Sequence, residues 1–169
     1  MTDNQHKFEP TEEKQAAFRR ALGSFGTGVT VVTVATDTGP LGFTANSFSS
    51  VSLKPPLIQW SVAHDASRHD PFAQAQSFCI HVLATDQVEL ARHFARKGDG
   101  FDGFDWHPDA NGIPVLNGCT ARFHCTTYAV HPAGDHSLII GQVEEVVARS
   151  APASGLIFAR GEFGRFVTT

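Results

Sequence analysis

Between Val29 and Ala35 the chain reads Val-Thr-Val-Val-Thr-Val-Ala, uncharged and β-branched at every position but the last. Branched side chains favour extended backbone, and a strand with no polar face must be covered on both sides. The fold therefore needs a sheet with packed material above and below it. Further extended segments follow at short intervals. Leu41 to Ala45 returns after the turn Asp37-Thr38-Gly39-Pro40, Leu57 to Val62 follows the break at Pro55-Pro56, and Phe78 to Leu83 forms a fourth strand. From Ala121 to Val130 alternation sets Ala121, Phe123, Cys125 and Thr127 on one face and Arg122, His124, Thr126 and Tyr128 on the other. After the turn Pro132-Ala133-Gly134-Asp135 comes Ser137 to Val147, and Leu156 to Ala159 with Phe163 and Phe166 finishes the chain.

Helical signals are fewer. Thr11 followed by Glu12 and Glu13 reads as a helix start, with Phe18, Leu22 and Phe25 as its apolar stripe until Gly26. Asp70-Pro71 reads as a cap and first turn of a short helix reaching Gln76, and Thr85 as the cap of a helix carrying Val88, Leu90, Ala91 and Phe94 and ended by Gly98. Gly98 to Asn111 reads as a polar loop whose Phe101, Phe104 and Trp106 need something to cover, a ligand or a neighbouring subunit. Many strands joined by short turns, with two or three helices, predict a mainly β fold with attached helices, a barrel rather than a doubly wound sheet. No linker or repeat interrupts the pattern, so residues 1–169 read as a single domain, with 1–10 as a flexible N-terminal tail.

Several functions are excluded by composition and spacing. A formal net charge of -4 is wrong for a nucleic-acid binder, and no apolar run of about 18 residues suggests a membrane span, so a cytoplasmic protein is expected. The three cysteines contain no Cys-x-x-Cys pair and read as buried, reduced thiols. Nine histidines invite a metal, but none is spaced as a zinc ligand set. Gly98-Asp99-Gly100-Phe101-Asp102-Gly103 has dinucleotide-fingerprint spacing but follows a helix rather than a strand, and no Gly-x-Ser-x-Gly elbow exists.

The run Thr44-Ala45-Asn46-Ser47-Phe48-Ser49-Ser50-Val51-Ser52 is more informative. Its short hydroxyls, amide and accessible backbone suit either the polar edge of a heteroaromatic ligand or a loop that satisfies its own turns. Gly134-Asp135-His136 likewise reads as a hairpin turn with an exposed imidazole.

Three stretches, Phe25-Gly26-Thr27-Gly28-Val29-Thr30-Val31-Val32-Thr33, Gly42 through Leu57, and Gly134-Asp135-His136, resemble successive signatures of the short-chain flavin reductases. These are the reductase components of two-component flavin monooxygenases. The likeness takes in Asp86 to Phe94, Gly112-Ile113-Pro114-Val115-Leu116 and Gly161 to Phe166, spanning about residues 16 to 166. Phe43 stands where that family commonly has methionine. The resemblance implies an FMN-binding split β-barrel working as a homodimer. It implies hydride transfer from NADH or NADPH to FMN or FAD, with reduced flavin passing to a partner monooxygenase. On this reading Thr44, Ala45, Asn46 and Ser47 hold the pyrimidine side of the flavin, with Ser49 or Ser50 close by. Ser67 meets the flavin phosphate, assisted by Arg68 and Lys97, and His136 positions the nicotinamide. A non-enzymatic flavin carrier or redox sensor on the same barrel is the alternative.

Overall fold

The computed structural model describes residues 6–151 and 153–167. The expected N-terminal tail falls partly outside these, and residues 6–10 carry neither helix nor strand. In chain order the elements are α1 (Gln15–Leu22), β1 (Thr27–Gly28), β2 (Thr30–Thr36), β3 (Gly39–Ala45), β4 (Ser49–Leu53), β5 (Pro56–Ala63), α2 (His69–Ala73), β6 (Ser77–Val82), α3 (Val88–Arg96), β7 (Trp106–Pro108), β8 (Pro114–Leu116), β9 (Ala121–Ala133), β10 (His136–Ala148), β11 (Leu156–Ala159) and β12 (Glu162–Arg165).

A seven-stranded antiparallel sheet runs β3-β2-β6-β9-β10-β5-β4. Its two edge strands, β3 and β4, are consecutive in the chain and joined only by residues 46–48. The sheet must therefore curl until its edges approach each other at that link. This gives a barrel with an open seam, the mainly β fold with attached helices that the sequence predicts.

β2 is covered on both faces, as its composition requires. Val32 and Val34 point into the barrel with Trp60, Phe72, Phe78 and Ile139. Val29 and Val31 point outward beneath α3, with Leu90, Phe94, Phe101 and Leu116. The approach of α3 is close: a Cβ at Gly42 would clash with the edge of the buried Phe94 ring, so only glycine fits there.

Local structure departs from the sequence pattern at five points. The end of the polar run, with Leu53 after it, forms β4, because pairing with β5 is a backbone matter and a hydroxyl-rich edge strand can face water. Neither Thr85 nor Asp70 caps a helix. Gln87 precedes α3 and its Oε1 accepts from Ala84 N–H at 2.9 Å, while α2 begins at His69. Thr11 makes no side-chain cap, and Phe18, Leu22 and Phe25 are 42%, 58% and 77% exposed in the protomer. The loop aromatics find their cover within the chain. Phe101 lies 4.7 Å from Phe94 and 5.1 Å from Trp106 between ring centres, and Phe104 packs on His93.

Cys79 and Cys125 are buried, Cys119 is half-buried and all three are free, with burial raising each thiol above its ordinary value. His81 is fully buried between β2 and β8. Its Nδ1 bonds the Val31 carbonyl at 3.0 Å, and its Nε2 accepts from Leu116 N–H at 3.1 Å. A second ring proton would point at that N–H. Burial pushes the His81 pKa down to about 3; nearby His124 and Arg122 add to the shift and the Val31 carbonyl opposes it. The unfolded chain takes up this proton near the ordinary value of 6.5 while the folded chain does not, so stability must fall as pH drops between those limits. Urea titrations across that window should show His81 contributing a loss approaching about 1.4 kcal/mol per pH unit, and His81→Gln should flatten the slope accordingly.

Candidate functional site

The open seam is held by one hydroxyl. Ser49 pairs with Gln59 in the β4–β5 ladder, so continuing the ladder would set Ser47 opposite Ser61. The backbone instead turns away toward β3, and Ser47 Oγ takes the place of a strand. It accepts from Ser61 N–H at 2.9 Å and donates to the Ser61 carbonyl at 3.2 Å. Thr44 is also engaged, donating to the Ala91 carbonyl at 2.7 Å and fastening α3 to β3. Ala45 is buried, and its carbonyl accepts from the Thr30 hydroxyl at 2.8 Å. Asn46 is exposed and faces a cavity of about 240 Å³ beside Phe25 and Phe158. Ser49 Oγ donates to the Ser50 carbonyl at 3.1 Å, and both serines are exposed. The run therefore divides: Thr44 and Ser47 spend their hydroxyls on distant partners within the fold, while Asn46, Ser49 and Ser50 are exposed.

Next to the seam lies an uncovered face. β5 puts Ile58, Trp60 and Val62 into the core and leaves Leu57, Gln59, Ser61 and Ala63 half-buried on the other side. Ladder partners share a face. Ser49 therefore joins Gln59 there, Leu138 joins Ser61, and His136 joins Ala63. Gln59 and Ala63 stand four residues apart, about 13 Å along the strand. The result is a shelf with a polar seam at one end and an imidazole at the other.

A second cavity, about 680 Å³, opens beside β3 and brings Ser67, Arg68 and Lys97 together with Arg96 and Thr38. Arg68 is largely committed. Its Nη1 donates to the carbonyls of Gly42 at 2.7 Å, Phe94 at 2.9 Å and Lys97 at 3.1 Å, and its Nη2 to Ala95 at 3.3 Å. The carbonyls of Phe94 and Ala95 are among the last of α3, which have no partner within the helix. The guanidinium also lies 4.8 Å from the Phe43 ring centre. Burial lowers its pKa and Asp99 opposes the shift; it remains a cation that lends positive potential to the cavity. Arg96 and Lys97 are exposed and free to reach an anion. Sequence reasoning missed Arg96, although its place in the last helical turn before Gly98 was a usable signal.

His136 opens β10 immediately after a two-residue turn in which Gly134 takes φ 65°. Its Nδ1 lies 2.6 Å from Asp135 Oδ1, and the ring is half-exposed. This bond is the main reason the Asp135 carboxyl sits below its ordinary value. Two further contacts hold the hairpin end, neither foreseen from sequence. His64 N–H donates to the Asp135 carbonyl at 2.9 Å, and His69 Nε2 meets Ser137 Oγ at 2.8 Å while its Nδ1 meets Asp70 Oδ1 at 2.8 Å. The segment from His64 to His69 thus runs from the imidazole end of the shelf to the cationic cavity. Among the described residues no group of three or more His, Cys, Asp or Glu could hold a metal ion, and no helix is long and apolar enough to cross a membrane.

Known proteins share this architecture. The family described as flavin reductase like domain matches residues 22–166. The chain is 50% identical over 163 residues to the FMN reductase (NADH) SmoA of Agrobacterium fabrum, covering 96% of this chain and 92% of that one. It is 47% identical over 147 residues to the reductase component of the flavin-dependent trigonelline monooxygenase of Acinetobacter baylyi, covering 86% of this chain and 47% of the relative, about half its length. The solved structure of Streptomyces globisporus C-1027 NADH:FAD oxidoreductase SgcE6 in complex with NAD and FAD fragments superposes with a TM-score of 0.89 at 38% identity, covering 96% of this chain and 98% of that chain.

The seam geometry separates two neighbouring residues by their roles. Ser47→Ala removes a donor and an acceptor and leaves Ser61 N–H and carbonyl without their partner, so urea unfolding should show a loss of about 1 to 3 kcal/mol. Asn46→Ala, at an exposed position, should stay within about 0.5 kcal/mol of the parent. Equal stabilities would mean that the Ser47 hydroxyl does not hold the seam.

Proposed function

This chain belongs to the flavin reductase like domain family, and from that membership we propose that it is an NADH-dependent flavin reductase supplying reduced FMN or FAD to a separate monooxygenase. The observation that carries the reading is the shelf on β5 and β10, with outward polar groups at one end, His136 at the other and a cationic cavity reached by the next segment of chain. These residues fit a flavin. Ala63 and Leu138 offer apolar surface to a planar ring, Ser49 and Gln59 on the same face offer hydrogen bonds to its carbonyls and nitrogens with exposed Asn46 and Ser50 at the neighbouring seam, and Ser67, Arg96 and Lys97 suit a phosphate ester.

When bound, the flavin supplies N5 as acceptor for the hydride leaving nicotinamide C4. That transfer asks for parallel, closely spaced rings more than for a side-chain acid or base. The protein's share is therefore positioning: the shelf fixes one ring plane, the cavity anchors the phosphate tail, and His136 orients the incoming nicotinamide. The homodimer belongs to this proposal too. Phe18, Leu22 and Phe25, together with Leu53 at 90% exposure, leave apolar surface that a second copy would cover. Three free cysteines, two of them buried, suit the reducing cytoplasm as its place of work.

The experiment is NADH consumption against rising FMN and, in parallel, riboflavin, which lacks the phosphate. The parent should turn over with saturable dependence on either flavin. Replacing Arg96 and Lys97 together by Gln should raise the KM for FMN about tenfold, equivalent to about 1.4 kcal/mol, and leave riboflavin nearly unchanged. Equal shifts for both flavins would remove the phosphate from this cavity. A protein that holds flavin without consuming NADH would be a carrier instead.

A further inference from the structure

His136 has two ring nitrogens, and its neighbour determines which one carries the proton. The backbone beneath the pair is fixed. Ala133 and Ala63 flank His136 in the two ladders, the Asp135 carbonyl accepts from His64 N–H at 2.9 Å, and Ser137 Oγ meets His69 Nε2 at 2.8 Å. On that base Asp135 Oδ1 lies 2.6 Å from His136 Nδ1. An ionised carboxylate only accepts, so the shared hydrogen belongs to Nδ1 and the neutral ring keeps a lone pair on Nε2. The Asp135 carboxyl, held below its ordinary value chiefly by this bond, is ionised at neutral pH. A neutral histidine without such a partner populates both tautomers.

The nicotinamide ring bears a carboxamide whose NH2 donates and whose carbonyl accepts. A bare Nε2 complements the NH2, whereas an Nε2–H would complement the carbonyl. We propose that Asp135 is a positioning residue that locks His136 with its proton on Nδ1, so that Nε2 accepts a hydrogen bond from the carboxamide NH2 of the reduced nicotinamide. The enzyme would thereby select carboxamide-bearing nicotinamides over ring analogues that lack the NH2. This inference rests on His136 meeting the nicotinamide, as proposed above. Asp135 acts only through the imidazole, and it is exposed at the hairpin tip, where substitution leaves the core untouched.

Two measurements on the flavin-loaded protein test it. Nitrogen NMR of the neutral His136 ring should show hydrogen on Nδ1 in the parent and in Asp135→Asn, whose amide oxygen still accepts. Asp135→Ala should show a mixture. The ratio of kcat/KM for NADH to that for its reduced 3-acetylpyridine analogue, which has no NH2, should fall about fivefold in Asp135→Ala and in His136→Ala, and persist in Asp135→Asn. If Asp135→Ala leaves the tautomer or the preference unchanged while His136→Ala loses the preference, the tautomer lock is wrong and the placement of His136 stands. If His136→Ala keeps the full preference, the placement itself fails, and the inference falls with it.

Discussion

A single serine hydroxyl stands where the two edges of the main sheet separate, and the rest of the arrangement depends on it. Ser47 Oγ satisfies both backbone groups of Ser61 in the position a strand would otherwise occupy. Open strand edges carry unpaired N–H and carbonyl groups, which are costly to bury and prone to pair with other chains. The opposite edge is protected differently. Gly42 N–H on β3 donates to the Gly98 carbonyl at 2.8 Å, and Arg68 and Thr44 tie the same strand to α3. One edge is capped by a helix and its following turn, the other by a side chain. That asymmetry keeps β4 short, lets the chain cross between β3 and β4, and leaves Asn46 exposed at the crossing.

The second organising feature is the stretch from His64 to His69, in which successive residues serve different parts of the site. His64 fixes the hairpin tip through the Asp135 carbonyl, Ser67 lines the cavity, Arg68 gathers the terminal carbonyls of α3, and His69 reaches Ser137. A ligand that contacts both the His136 end and the cationic cavity is therefore measured against one continuous piece of backbone. The distance between those two ends is set by rigid hydrogen bonds rather than by a long loop. Positioning of this kind suits a reaction whose demand is the spacing of two rings.

The strands were readable because their side chains report their surroundings. The uncharged β-branched run at Val29–Ala35 announces a two-faced strand, and the structure buries both faces. β4 was hidden because Ser49, Ser50 and Ser52 say nothing about backbone pairing. The start of α3 is misread because Thr85 carries the expected capping side chain, while Gln87 at the actual N-cap makes no side-chain cap and turns back to Ala84 N–H. Phe101, Phe104 and Trp106 clearly needed cover, but the α3 rings that provide it are known only once the chain is folded. At the site, only the resemblance to flavin reductases points to Asn46 and Lys97. The commitments of Ser47, Arg68 and His69 to partners 14, 26 and 68 residues away had no local sequence trace.

The proposed reaction is direct passage of a hydride between two rings held by this shelf. Anaerobic rapid mixing of the flavin-loaded protein with NADH, protiated or deuterated at the transferred C4 position, measures that step in a single turnover. The oxidised-flavin absorbance should be lost completely in one phase, slower with deuterium. Flavin that stays oxidised in excess NADH would contradict this reaction and leave a carrier on a reductase fold.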